Sequence, residues 1–105
     1  MANLSDPDVL PDLIDQTWAL FQAPHTAAQG ATLAGQLQDL TQQLASLSDV
    51  TLDRTKKEYL DAVAAVQKAT KQIIEAQRDV AKVAAAIGQV ASVIDALVKV
   101  VSTVA

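Results

Sequence analysis

His25 is the only histidine in a chain without cysteine, so a metal site would start from one nitrogen ligand with no thiolate to join it. Carboxylates recur at helical spacing, Asp12 with Asp15 and Glu75 with Asp79. Acid–base chemistry needs two such groups in a cleft with their proton affinities pushed apart, whereas acids at helical spacing also make up an ordinary solvated face. The pattern here predicts the solvated face. Lys57, Lys68, Lys71, Arg78 and Lys82 share one helical sector, the arrangement that would attract a phosphate backbone. Asp61 and Glu75 interrupt it, and the chain is acidic overall at −4 with a single Tyr, so nucleic acid is disfavoured. A glycine-rich phosphate loop, a serine elbow and a dinucleotide fingerprint are all missing. The chain therefore reads as non-enzymatic, with no catalytic residue, metal ligand set, cofactor or small-molecule substrate expected.

What remains for recognition is apolar surface. From Leu52 to Val104, small or apolar residues recur at alternating steps of three and four: Leu52, Tyr59, Val66, Ile73, Val80, Ile87, Ile94 and Val101 at one core position, Thr55, Ala62, Ala69, Ala76, Val83, Val90, Leu97 and Val104 at the other. This is a coiled-coil seam, and one helix of that span would be roughly 80 Å long. Gly88 does not disturb its phase, which predicts a continuous helix. Beyond Arg78 the flanks of the seam are apolar too, at Ala84, Ala86, Ala91, Val93, Val98 and Val100. A stripe this wide exceeds what one partner helix covers, and β-branched residues at both core positions favour three or more helices. Val80, Val83, Ile87, Val90, Val93, Ile94, Leu97, Val98, Val100, Val101 and Val104 are accordingly the expected interface with another copy or a helical partner.

Two shorter helices precede this one. The first is expected over about residues 8–22, with Leu10, Leu13, Ile14, Thr17, Trp18, Leu20 and Phe21 on a broad apolar face that stops before Pro24. Trp18 and Phe21 are candidate partner anchors on that face, since Trp is enriched at interface hot spots. The second is expected over about 26–47, where Leu33, Leu37, Leu40, Leu44 and Leu47 repeat the three–four spacing, followed by a turn at 48–51. Folding there sets Leu40 by Tyr59 and Leu37 by Ala62, large against small. The expected fold is all-α in a single domain: an antiparallel, coiled-coil-like helical hairpin with a short N-terminal helix and a long C-terminal helix over 52–104, completed as a bundle by oligomerisation. Whether the first helix folds back at Pro24 or continues in line is open.

Charge is divided unevenly along the chain. Residues 1–53 hold seven aspartates and no Lys or Arg, and residues 54–105 hold eight basic and five acidic residues. The halves complement each other, within a hairpin or between two copies.

These features predict an interaction or assembly module working through its apolar C-terminal helix. The alternative is a lipid-surface or membrane-active protein, pore-forming or granule-coating, that carries the same stripe to a bilayer. Spanning is not favoured: ten strongly apolar residues from Val83 to Val104 supply about −5 kcal/mol, against about +6 kcal/mol for Asp95 and Lys99 at mid-membrane. No signal peptide precedes Asp6, so the cytoplasm is the default expectation, with room left for specialised export.

Overall fold

Two residues that disfavour a helix interior, Pro24 and Asp79, mark chain reversals among the described residues. The computed structural model describes Leu4 and residues 6–48 and 56–104. In it α1 spans Leu10–Gln22, α2 Ala27–Ser48, α3 Lys57–Ala76 and α4 Val83–Val104, with a 3-10 turn at Val80–Lys82 leading into α4. Pro11 stands in the first turn of α1, where its missing amide hydrogen is not needed. Ala23 is extended, with ψ 168°, as the residue before a proline tends to be. Next comes a reciprocal capping box: the Gln29 amide donates to Thr26 Oγ1 at 3.1 Å, and the Thr26 amide to Gln29 Oε1 at 3.0 Å. It starts α2 in a new direction, so helix one folds back on α2.

The second reversal overturns the continuous helix expected over 52–104. Asp79 is extended, and its carboxylate accepts the Ala81 amide at 3.1 Å, capping the 3-10 turn and starting a new helix. Gly88 lies inside α4 and breaks nothing. Overturned with the long helix is the hairpin of helices two and three that oligomerisation would complete. Among the described residues, four α-helices already pack as a bundle within one chain, with a radius of gyration of 13.3 Å and a longest extent of 38 Å. A helix of roughly 80 Å has no place in it.

Around the bundle, α1 lies on α2 and α3, and α4 lies on α2 and α3. The diagonal pairs, α1 with α4 and α2 with α3, make no close backbone approach among the described residues. The leucine seam of α2 therefore faces α1 and α4 where α3 was expected, and the pairing of Leu40 with Tyr59 and Leu37 with Ala62 across one seam is not formed. Of the expected turn, Ser48 closes α2, while Asp49, Val50 and Thr51 lie outside the described residues, as do Leu52 to Thr55. The helices α1 and α3 run parallel. At one end the Leu4 amide donates to the Tyr59 hydroxyl at 2.8 Å; towards the other, Gln77 Nε2 donates to the Gln16 carbonyl at 3.0 Å and to Gln16 Oε1 at 2.9 Å.

The seam kept its phase through the reversal because α4 is apolar at so many positions that several phases fit it. In α3 the buried residues include Tyr59, Ala62, Val66, Ala69, Ile73 and Ala76, the seam as expected. In α4 they are Val83, Ala86, Val90, Val93, Leu97 and Val100, a stripe turned by one position. Leu10, Leu13, Leu20, Leu33 and Leu40 complete the core, with Ala62, Ala69, Ala76 and Ala86 leaving room between helices.

Asp79→Ala removes the cap at the second reversal and is expected to destabilise the domain by about 1 kcal/mol, read from urea unfolding. An unchanged midpoint would show that packing alone holds the turn.

Candidate docking surfaces

Burial divides the expected interface residues into two groups. Val83, Val90, Val93, Leu97 and Val100 lie in the core of the single chain. Val80 is 58% exposed and Val98 44%, with Ile87, Ile94 and Val101 half-buried between them. The side chain of Val104 is outside the described residues. With exposed Ala84 and Ala91, the second group forms an outer stripe, Val80, Ala84, Ile87, Ala91, Ile94, Val98 and Val101, whose spacing alternates four and three. It is about 30 Å long and carries no charge.

The neighbours of α4 show which side this stripe occupies. Glu58 and Asp61 of α3 come together with Ser92, Asp95, Ala96 and Lys99, so α3 covers that flank. The stripe runs along the other flank, beside α2, whose buried Gln36 donates through Nε2 to the Ile87 carbonyl at 2.9 Å. Alanines between larger aliphatic residues let a second helix approach closely. The segment Val80–Ser102, with mean hydropathy 1.7, is long and apolar enough to cross a membrane by length and composition; a third of that window is buried in the bundle.

Trp18 and Phe21 line a groove between α1 and α2. Trp18 is 50% exposed, and its ring meets that of Phe21 edge-on with centroids 5.7 Å apart. The facing wall is Ala34, Leu37, Gln38, Thr41, Gln42 and Ala45, and the groove holds about 640 Å³. It contains no ionisable group, and the first charged residue beside it on α1 is Asp15, one turn from Trp18.

Several of the polar residues considered for chemistry hold structure. Glu75 pairs with Lys82 at 3.6 Å while Asp79 caps the turn, so this carboxylate pair is divided between two tasks. Asp12 accepts from Gln16 Nε2 at 3.4 Å, and Lys57 pairs with Asp61 at 3.8 Å. Among the described residues, no three His, Cys, Asp or Glu side chains converge as a metal site would require. His25 closes the end of α1. Its Nδ1 lies 2.7 Å from the Thr26 carbonyl and its Nε2 2.7 Å from the Phe21 carbonyl. Two acceptors ask for two N–H donors, which only the imidazolium supplies. The Thr26 carbonyl first, then that of Phe21, raises the His25 pKa above its ordinary 6.5, against a smaller opposing effect of burial. Gly30 is what lets the ring lie there, because a Cβ at that position would stand 2.6 Å from His25 Cε1.

No protein-family model matches the chain, and comparison with curated proteins and with solved structures finds no match.

Sequence reasoning missed the outer stripe of α4 as a unit separate from the core stripe, and it missed the α2 wall of the groove. The signal for the second was present: Ala34, Gln38, Thr41 and Ala45 repeat the four–three–four spacing one face away from the leucines.

A histidine whose folded pKa is raised contributes stability that is complete below the unfolded value and is lost as pH rises through the folded value. NMR titration of His25 should therefore give a midpoint above 6.5, with part of the stability lost as pH passes through it. Gly30→Ala should return that midpoint towards 6.5, whereas Gly35→Ala, with nothing within 4 Å of the new methyl, should leave it in place. An unmoved midpoint in Gly30→Ala would mean that the ring contacts do not set the His25 pKa.

Proposed function

We propose that this domain is a non-enzymatic helical interaction module that docks an apolar helix of another protein along the outer stripe of α4. The observation that carries this reading is the uncharged run Val80, Ala84, Ile87, Ala91, Ile94, Val98 and Val101, laid out at coiled-coil spacing and left at the surface by a bundle that has already filled its core. Such a stripe suits helix-in-groove recognition, with Ile87, Ile94 and Val101 as anchors in the crease beside α2 and the alanines setting the approach. Its partner is then a helix with aliphatic residues at matching intervals, and the charged face of α4, Asp95 and Lys99, remains at the rim.

Ala91 and Val98 are exposed, so Ala91→Asp and Val98→Asp should each lower stability by less than about 1 kcal/mol. Each should weaken capture of a helical partner by about tenfold or more, near 1.4 kcal/mol, because docking would bury the new carboxylate without a counter-charge. Ser92→Asp, on the α3 side of α4 and off the stripe, should capture as the wild type does. Affinity capture with these baits in parallel decides the matter: equal capture by all of them would rule out the stripe as the docking surface.

A lipid surface is the second reading, favoured by the hydropathy of Val80–Ser102. It expects co-flotation with vesicles that Val98→Asp abolishes. The polar face of α4 is poor in Lys and Arg, unlike that of a typical surface-seeking helix, which is why protein docking stands first.

A further inference from the structure

The α1 side of the bundle carries two complementary surfaces at matching intervals. On α1, Asp12, Asp15 and Trp18 follow one another in steps of three, with Trp18 forming a wall of the groove shared with α2. On α3, Lys68, Lys71 and Ile74 follow one another in the same steps, and together with Gln67 and Thr70 they line a shallow depression of about 390 Å³. Ile74 is 38% exposed, an aliphatic side chain at the surface beside two cations. Among the described residues, no ion pair engages Asp15, Lys68 or Lys71.

We infer that the groove at Trp18 receives the α3 ridge of a second copy of this chain. With α1 of one copy crossing α3 of the next steeply, so that the two rows of three-residue steps lie along each other, Lys68 faces Asp12, Lys71 faces Asp15, and Ile74 enters the groove against Trp18 and Phe21. The Trp18 ring then lies over the Lys71 stem, where its face favours a nearby cation. A second copy is the occupant favoured by charge: the α1–α2 layer contains no Lys or Arg to oppose a basic ridge, and α3 supplies one at the right interval.

Groove and ridge are different surfaces on each copy, which makes the contact heterologous. It closes into a ring or continues as an open row, and it does not stop at a two-fold dimer.

Sedimentation velocity over about a hundredfold range of concentration tests this, with the fluorescence of the single Trp as a second readout. The wild type should associate beyond a dimer, more weakly in about 0.5 M than in about 0.05 M salt, with Trp18 emission shifting to the blue as it is covered. Asp15→Lys and Lys71→Asp are both at exposed positions and should keep wild-type circular dichroism, yet each alone should remain monomeric through like-charge repulsion. Mixed in equal amounts they should associate again, because every interface in an alternating row regains one acid and one base. A wild type that stays monomeric, single variants that associate as the wild type does, or a mixture that stays monomeric would each overturn the inference. Association abolished by Val98→Asp but untouched by both charge reversals would overturn it as well and assign self-contact to α4.

Discussion

The burial of α4 on two flanks is the constraint from which the rest of the bundle follows. Its apolar residues wrap so much of the helix that one neighbour leaves a large area in water, and at about 25 cal/mol per Å² that exposure weighs heavily against a small domain. The reversal at Asp79 brings α3 against one flank, and the long α2 supplies the other. The short α1 then closes the bundle opposite α4, against both. One flank is covered less completely, since the edge beside α2 keeps Val80 and Val98 at the surface. The bundle's main exposed apolar stripe is thus what remains after a wide stripe has been shared between two neighbours.

Charge follows the same division. The layer of α1 and α2 presents Asp12, Asp15 and Asp39 without a cation, while the described Lys and Arg residues sit on α3, α4 and the turns that flank them. Between layers the contacts are largely apolar or amide-based, as at Gln36 with Ile87 and Gln77 with Gln16. Gln36 leaves its Oε1 buried without a partner, a cost accepted inside the α2–α4 contact. Placing the charges on outward faces avoids desolvating ion pairs, which rarely returns a net gain.

Periodicity made much of this legible. Leu33, Leu37, Leu40 and Leu47 of α2 and the a/d-type positions of α3 are buried as their spacing implies, and Pro24 ends the first helix as the torsional rule for its predecessor requires. The second reversal was not legible from the heptad, because Val83 to Val104 offers apolar residues in several phases and so cannot report a change of direction. Asp79 was the local sign of it: a residue whose side chain competes for backbone amides, in the middle of a supposed seam helix. At the surface, Trp18 and Phe21 stood out by residue type, whereas telling Val98 from Val100 required knowing which neighbours α4 has. Width of the stripe was visible in sequence; its division between core and surface depends on α2 and α3, the two neighbours of α4.

The ring order of the bundle has a kinetic consequence. Each of the pairs α1–α2 and α3–α4 is joined by a short connection and can form from local contacts, on the fast end of the folding scale. The bonds that join the pairs, Leu4 to Tyr59 and Gln16 to Gln77, close loops of more than fifty residues and bring together helices that run in the same direction. Chain entropy must be lost before these contacts reward it, so topology makes them slower to form than the contacts within either hairpin. An α3–α4 pair without α2 would leave one apolar flank of α4 in water, the kind of surface that invites premature self-contact.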